Sequence, residues 1–492
     1  MSRSIQKNSA INTTASHTGA DHETFINNPE LLVELTTTDK FSFEPRDLAD
    51  IQLAALKKRF DQLVNQLPIL SRFANAQNLR EITQLEDGAL LLVPHTMYKS
   101  YPLTAIEGNR FDRMTKWLQT LTTIDLSSVD AGQCESIDAW IDLLDASTSL
   151  RIRHSSGTTG KLSFIPGNLA ETWTQAMAFK RSFEGFGDEP DAVAEGVGEF
   201  PVIVFGHKWG AMSTARTMAA VQEHLYQGDD TKLYFSNSGR ISADMLSLGG
   251  RLQKAQSQGE LGSLQLSPSL LARREEFLKE QQEEPKRLGE FFDRINAELR
   301  GQKVIVQGVV PIMVRGAMAA IERGMEGLFA PGSLQRYAGG PKGQKLPENY
   351  PEIVSRFTGL PYPRPGYGMS ESAASLTRMC PEGHYHLPPN IIPYVLDPKS
   401  GAILPRTGTQ RGRYGIVDLA AQQRWAGFLT GDEVAIDYSS RCRCGRTTAF
   451  IVDGQIRRYS EMEGGDDKIT CAGAPAVHEN ALQFMVELGE RS

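Results

Sequence analysis

Several stretches of this chain combine residue types that could do chemistry. The first is Ser155-Ser-Gly-Thr-Thr-Gly-Lys161, a run of hydroxyls and glycines closed by one lysine. Gly157 and Gly160 let the backbone approach an anion closely. Ser155, Ser156, Thr158 and Thr159 offer hydroxyl and N–H donors, and Lys161 adds a positive point charge. This is the chemistry of a phosphate cradle; the plainer alternative is an ordinary surface loop. A P-loop is excluded, because only Thr158 and Thr159 separate Gly157 from Gly160-Lys161 and Leu162 replaces the magnesium-binding hydroxyl.

Three further stretches supply what a nucleotide needs. Ala338-Gly-Gly-Pro-Lys342 is a glycine turn against which a flat ring can lie. Tyr367-Gly-Met-Ser-Glu371 sets an aromatic face shortly before a carboxylate that could ligate Mg²⁺, and Thr430-Gly-Asp432 offers an acceptor for ribose hydroxyls. Each motif alone is commonly just a turn. Separately, Cys380-Pro-Glu-Gly-His-Tyr-His386 and Cys442-Arg-Cys444 hold three thiols and two imidazoles. Cys380, His386, Cys442 and Cys444 would make a closed set suited to structural zinc, with His384 as the alternative imidazole and four unconnected residues as the plain alternative.

The elements that must position these groups alternate between short apolar strands and amphipathic helices, which predicts an α/β fold. Leu150, Ile152 and His154 alternate with Arg151 and Arg153, so the Gly/Thr loop follows a strand, where α/β sheets bind ligands. Further strands are expected at Ala89–Val93, Phe200–Phe205 and Val304–Val314, the last broken at Pro311. Helices are expected over Asp47–Leu70, Arg113–Thr122, Ile137–Leu144 and Thr214–His224. Leu169, Trp173 and Met177 suggest one apolar helix face, and 270–300 reads as a solvated charged helical pair kinked or broken at Pro285.

Bulk properties narrow the function classes. The chain has 492 residues, 40% hydrophobic and 23% charged, an ordinary globular composition. Its net charge of −7 argues against nucleic acid as the main partner. No apolar run is long enough for a membrane span, and residues 1–22 read as a disordered tail rather than a secretory signal. Five cysteines call for no disulfide framework, so a cytoplasmic setting is expected.

In their order along the chain, Ser155–Lys161, His207-Lys-Trp-Gly210, Gly339-Gly340-Pro341, Tyr367–Glu371 and Thr430–Asp432 resemble the core motifs of the adenylate-forming superfamily, which includes acyl-CoA synthetases and luciferase. Val93-Pro-His-Thr-Met-Tyr-Lys99, Tyr394-Val-Leu-Asp-Pro398 and Cys442-Arg-Cys-Gly-Arg446 are most similar to the phenylacetate-CoA ligase and bioluminescence acyl-protein synthetase branch, some of whose members also carry the Cys/His pattern. The resemblance implies a large domain of β-sheets flanked by helices over 23–455. It implies ATP- and Mg²⁺-dependent attack of a carboxylate on the α-phosphorus, giving an acyl-adenylate and pyrophosphate. Ser156, Thr158, Thr159 and Lys161 would hold the β,γ-phosphates, Gly340, Tyr367 and neighbouring Gly368 would face adenine, and Asp432 would take the ribose. Ser370 would contact the α-phosphate or the substrate carboxylate, and Glu371 would ligate Mg²⁺. His207 matches a position beside the acyl pocket, although a structural histidine after a strand reads equally well.

The sequence departs from that pattern near its end. Residues 456–492 are expected to be a remnant of the family's C-terminal lid, with Asp466-Asp-Lys-Ile469 at its start and no counterpart of the lid lysine. Gly464 and Gly465 replace the hinge arginine, for which Arg457 or Arg458 could substitute. On this expectation Lys161 is the main cation at the phosphates. The acyl acceptor stays open between CoA, a protein thiol and an amine; Cys471 lies in a place comparable to the cysteine that the acyl-protein synthetases load, but a buried inert thiol is the favoured reading. An impaired homologue that binds nucleotide or acid as a partner subunit is the alternative function.

Overall fold

The computed structural model describes residues 19–155, 161–184, 196–259, 268–339, 345–439 and 441–458. It is an α/β fold built on two main sheets.

The first sheet is parallel, in the order β5-β4-β6-β7: β4 is Val202–Trp209, β5 Leu233–Arg240, β6 Ile305–Val309 and β7 Leu334–Ala338. Its inner strands read as continuous apolar runs such as Val202-Ile-Val-Phe205, as expected when helices cover both faces. Each strand leads into a helix: Ser213–Leu225, Ala243–Gln258, Val310–Glu322 and Tyr350–Thr358. These crossovers bring the carboxyl ends of β4, β6 and β7 to one edge. Two glycines make the exits possible. Gly210 has φ +125°, and a Cβ there would lie 2.8 Å from the Ile241 carbonyl oxygen; Gly339 turns the chain out of β7 at φ +70°.

The second sheet is antiparallel, in the order β10-β14-β13-β12-β11: Tyr385–His386, Phe450–Arg458, Gly427–Asp437, Thr409–Asp418 and Ile391–Leu396. The short β1, Val93–Pro94, joins β13 in parallel. Two hairpins complete the strands: β2 (Leu150–His154) with β3 (Phe164–Asn168), and β8 (Gly366–Tyr367) with β9 (Thr377–Arg378). The Gly/Thr loop therefore follows a strand, as expected, but one paired antiparallel in a hairpin rather than one inside the parallel sheet.

Several local expectations are corrected. Ala89–Val93 is mostly a 3₁₀ helix, Leu85–Leu91, closed by a reciprocal cap between Gln84 and Asp87; a short apolar run does not by itself distinguish strand from buried helix. The Val304–Val314 strand stops at Val309, and Pro311 opens a helix in the first turn, where its missing N–H costs nothing. Pro68 likewise divides Asp47–Leu70 into Pro45–Leu63 and Pro68–Ala76. By contrast, Pro285 does not break its helix: Arg274–Leu299 runs through it, with Pro285 exposed and Phe277, Phe291, Phe292, Ile295 and Leu299 buried. Leu169 and Trp173 are exposed, and Glu171–Arg181 buries Thr174, Gln175, Ala176, Met177 and Phe179 instead.

Gly19–Asn27 is helical, so a helix overlaps the expected 1–22 tail, whose residues 1–18 lie outside the described residues. Strand β14 crosses position 456, the expected domain boundary. No described helix is long and apolar enough to cross a membrane.

Candidate active site

The parallel sheet's carboxyl edge faces the β8–β9 hairpin and the β13–β14 strands across a cavity of about 830 Å³. Its walls gather Ser155, His207, Gly339, Tyr367, Gly368, Ser370, Glu371, Thr430 and Asp432 from segments distant in sequence. Ser156, Gly157, Thr158, Thr159, Gly160, Gly340, Pro341, Cys471 and all of 459–492 lie outside the described residues.

Tyr367 and Asp432 form one unit. The Tyr367 hydroxyl donates to the Asp432 carboxylate at 2.8 Å, and its ring centroid lies 5.9 Å from that of Tyr385 and 6.3 Å from that of Tyr414. Burial and the Asp432 charge push the Tyr367 phenol well above its usual range, so it stays a donor. Asp432 is set by its own turn, its N–H bonding the Thr430 hydroxyl at 3.1 Å while Thr430 donates to the Tyr414 carbonyl at 2.8 Å. Arg458 pairs in register with Asp432 and lines the cavity, whereas Arg457 forms an ion pair with Glu433 at 2.7 Å.

Glu371 is buried at the cavity wall, and no described group hydrogen-bonds its carboxylate. Its backbone is clamped instead. Arg424 donates to the Glu371 carbonyl at 3.2 Å and Arg153 to the Ser372 carbonyl at 3.1 Å. Both guanidiniums face buried Glu171, at 3.9 and 3.7 Å. From the other side, Asp418 accepts from the Ser372 hydroxyl at 2.5 Å and from the N–H groups of Ala373 and Ala374 at 2.7 and 3.2 Å; Asn390 fills its second oxygen at 2.9 Å. Asp418, Arg153, Arg424 and Glu171 were not singled out in the sequence. A lone acid inside the apolar run Gly415–Ala421 is the signal that would have found Asp418, since a charge there must be paired.

Around the Gly/Thr loop the picture is mixed. Ser155 anchors its base: its N–H bonds the Ser163 carbonyl at 3.1 Å and its hydroxyl accepts from the Ser163 N–H at 2.9 Å. The preceding His154 is wholly buried, which drops its imidazole to about 4 and keeps it neutral at physiological pH. Lys161 does not line the cavity. Its ammonium donates to the Tyr101 carbonyl at 2.7 Å and sits 5.0 Å from that ring's centroid, its pKa lowered by burial and by Lys254 and Lys99. His207 reaches the cavity from beyond Phe205 on β4.

The Cys/His residues converge at a second place. The ligand atoms of Cys380, His386, Cys442 and Cys444 all lie within 4.8 Å of one another. Cys380 Sγ is 3.9 Å from Cys442 Sγ, and Cys444 Sγ is 3.3 Å from His386 Nε2. His386 Nδ1 faces the Thr448 carbonyl at 3.3 Å, leaving Nε2 toward the thiols. The competing imidazole points elsewhere: His384 Nδ1 accepts from the Asp453 N–H at 3.0 Å and its ring stacks on Phe450 at 4.7 Å.

No protein-family profile matches the chain, and no curated protein matches it in sequence. In three dimensions it is similar to 2-hydroxyisobutyryl-CoA ligase in an open conformation, in complex with 2-HIB-AMP and CoA: TM-score 0.50 at 14% identity, over 87% of this chain and 73% of that one. The same ligase in its thioesterification state gives 0.49 at 14% identity, over 86% and 70%. A long-chain-fatty-acid-CoA ligase from Archaeoglobus fulgidus gives 0.33 at 12% identity, over 68% and 58%. At such identities a likeness speaks for fold alone, and the first of them is strong enough to do so: the chain shares the α/β fold of 2-hydroxyisobutyryl-CoA ligase.

Proposed function

We propose that this protein is an ATP- and Mg²⁺-dependent enzyme that activates a carboxylic acid as its acyl-adenylate, releasing pyrophosphate. The supporting observation is the convergence of Tyr367, Asp432, Ser370, Glu371 and His207 on one cavity at the carboxyl edge of the parallel sheet. Tyr367 and Gly368 would face adenine, and Asp432 the ribose hydroxyls. Glu371 would ligate Mg²⁺: a buried carboxylate at the cavity wall with no hydrogen-bond partner among the described residues suits a cation. The ion would neutralise charge building on the phosphates; the protein's share is to hold the acid and the α-phosphorus in line. The Arg153–Glu171–Arg424 and Asp418 contacts would fix where Glu371 stands. Ser370 would contact the α-phosphate or the acid, with His207 beside the acyl group. The 156–160 segment and Lys161 would serve the β,γ-phosphates, which requires the Lys161 ammonium to leave the Tyr101 carbonyl. The acyl group would then pass to CoA, a protein thiol or an amine.

Cys380, His386, Cys442 and Cys444 would hold a structural zinc ion. Their spacings suit a tetrahedral Cys₃His set, and the Thr448 carbonyl supplies the outer-shell partner for His386. The ion would tie the chain after Glu371 to the β13–β14 connection. It would take no part in the reaction, since four protein ligands fill it.

Exchange of labelled pyrophosphate into ATP over a broad acid panel tests the activation reading. Acid-dependent exchange, lost in Glu371→Gln, is expected. Absence of exchange with every acid, alongside intact nucleotide binding, would favour the impaired partner-subunit reading.

A further inference from the structure

Arg336 lines the cavity from β7. Its Nη2 donates to the Gln307 side-chain oxygen at 3.0 Å, across the β6–β7 register, and its Nη1 donates to the Ser182 hydroxyl at 3.0 Å. Its guanidinium carbon lies 4.8 Å and 5.6 Å from the ring centroids of Phe179 and Phe183. No carboxylate among the described residues pairs with it. Three buried arginines differ: Arg153 and Arg424 share Glu171, and Arg251 reaches Glu107 at 3.4 Å. Burial alone lowers the Arg336 guanidinium to about 10, which leaves it a cation at neutral pH.

A half-buried cation with no carboxylate partner among the described residues is completed by an anion that enters the cavity beside it. Nε and the second N–H of each terminal nitrogen have no described partner, so the fork is free for two-point binding of a planar anion. Phe179 and Phe183 back the fork. The fork also stands on the parallel-sheet wall, whereas the Tyr367–Asp432 unit stands on the opposite, antiparallel side. An anion held there lies beyond the reacting carboxylate, on the acid itself.

We infer that Arg336 binds a second carboxylate of the substrate, so that the acids activated are dicarboxylic. This rests on the acid-activation reading proposed above. The reaction is unchanged: one carboxylate attacks the α-phosphorus and pyrophosphate leaves, while the other stays ion-paired.

The test uses matched acid pairs on the full chain: benzoate and terephthalate, heptanoate and pimelate. Pyrophosphate exchange gives kcat/KM for each, and titration calorimetry gives binding without chemistry. For at least one pair the diacid is expected to be favoured by about tenfold or more, and Arg336→Met to lower its kcat/KM by about 100-fold with little change for the monoacid; Arg336→Lys, with charge but no fork, falls between. Equal use of both members of every pair by the wild type overturns the inference, and so does an Arg336→Met defect confined to the KM for ATP. If no acid supports exchange, the activation reading fails, and calorimetry still decides Arg336. Diacid binding that Arg336→Met abolishes supports the inference, whereas failure of every diacid to bind more tightly than its monoacid overturns it. Should Arg336→Met not fold, the wild-type preference and Arg336→Lys decide.

Discussion

At the scale of single residues, the cavity works through paired groups. Tyr367 and Asp432 are joined by one hydrogen bond, so Tyr367→Phe removes that bond and keeps the ring. It is expected to raise KM for ATP by about ten- to a hundredfold, the worth of one hydrogen bond to a charged group, with a smaller effect on kcat. Steady-state kinetics with ATP varied separates the two. Asp418 touches no substrate in this reading. It gathers the N–H groups of Ala373 and Ala374 and the hydroxyl of Ser372 at the turn behind Glu371. Asp418→Ala would orphan these buried donors, at about 3 kcal/mol or more of stability. Because Glu371 then loses its position, kcat should fall in the soluble fraction while a retained nucleotide-induced melting shift shows the cavity intact. A melting point unchanged by Asp418→Ala would contradict the positioning role.

Between elements, two contacts join parts of the chain far apart in sequence. The Cys380–His386 segment meets Cys442 and Cys444 at distances that fit one metal ion. Metal analysis of purified protein is expected to find about one zinc per chain, and chelation or Cys442→Ser to lower the melting temperature by several degrees. A zinc content far below one would remove the metal from this account. The second contact joins the helices Ile137–Ser147 and Ala243–Gln258. Asp244 accepts from the N–H groups of Ile137 and Asp138 at 2.8 and 3.1 Å, yet burial and the Asp138 charge raise its carboxyl to about 7. The folded state then binds a proton that the unfolded chain releases near 3.8, so this group's stabilising contribution falls as pH rises from about 4 to 7. Asp244→Asn keeps an acceptor without the charge. It should flatten that decline and melt higher than the wild type at pH 8, read by thermal unfolding across that range.

For the whole molecule, the cavity exists only because two sheets and two hairpins meet. A ligand that binds the folded state alone stabilises it by about 2.7 kcal/mol at a concentration one hundred times its Kd. Mg-ATP is therefore expected to raise the melting temperature, and Asp432→Ala to abolish most of that shift; an equal shift in both would move the nucleotide away from Asp432. The chemistry was legible in the sequence wherever it lay in short runs. Tyr367–Glu371, Thr430–Asp432 and the Cys/His segments announce their donors by type and spacing, and the alternation of apolar strands and helices fixes the α/β class. Local pattern was ambiguous wherever the competing conformations bury the same side chains, as in Leu85–Leu91, or wherever a proline's effect depends on which face it occupies, as with Pro285 and Pro311. Burial and pairing are long-range properties, so other matters were left to tertiary structure. Only the folded chain sets His386 rather than His384 beside the thiols, holds Lys161 at the Tyr101 carbonyl outside the cavity wall, and closes Arg153, Arg424 and Glu171 around the backbone of Glu371. Arg336 is the clearest case: an arginine on a strand is unremarkable in sequence, and only packing sets it half-buried at a cavity wall with no carboxylate partner among the described residues.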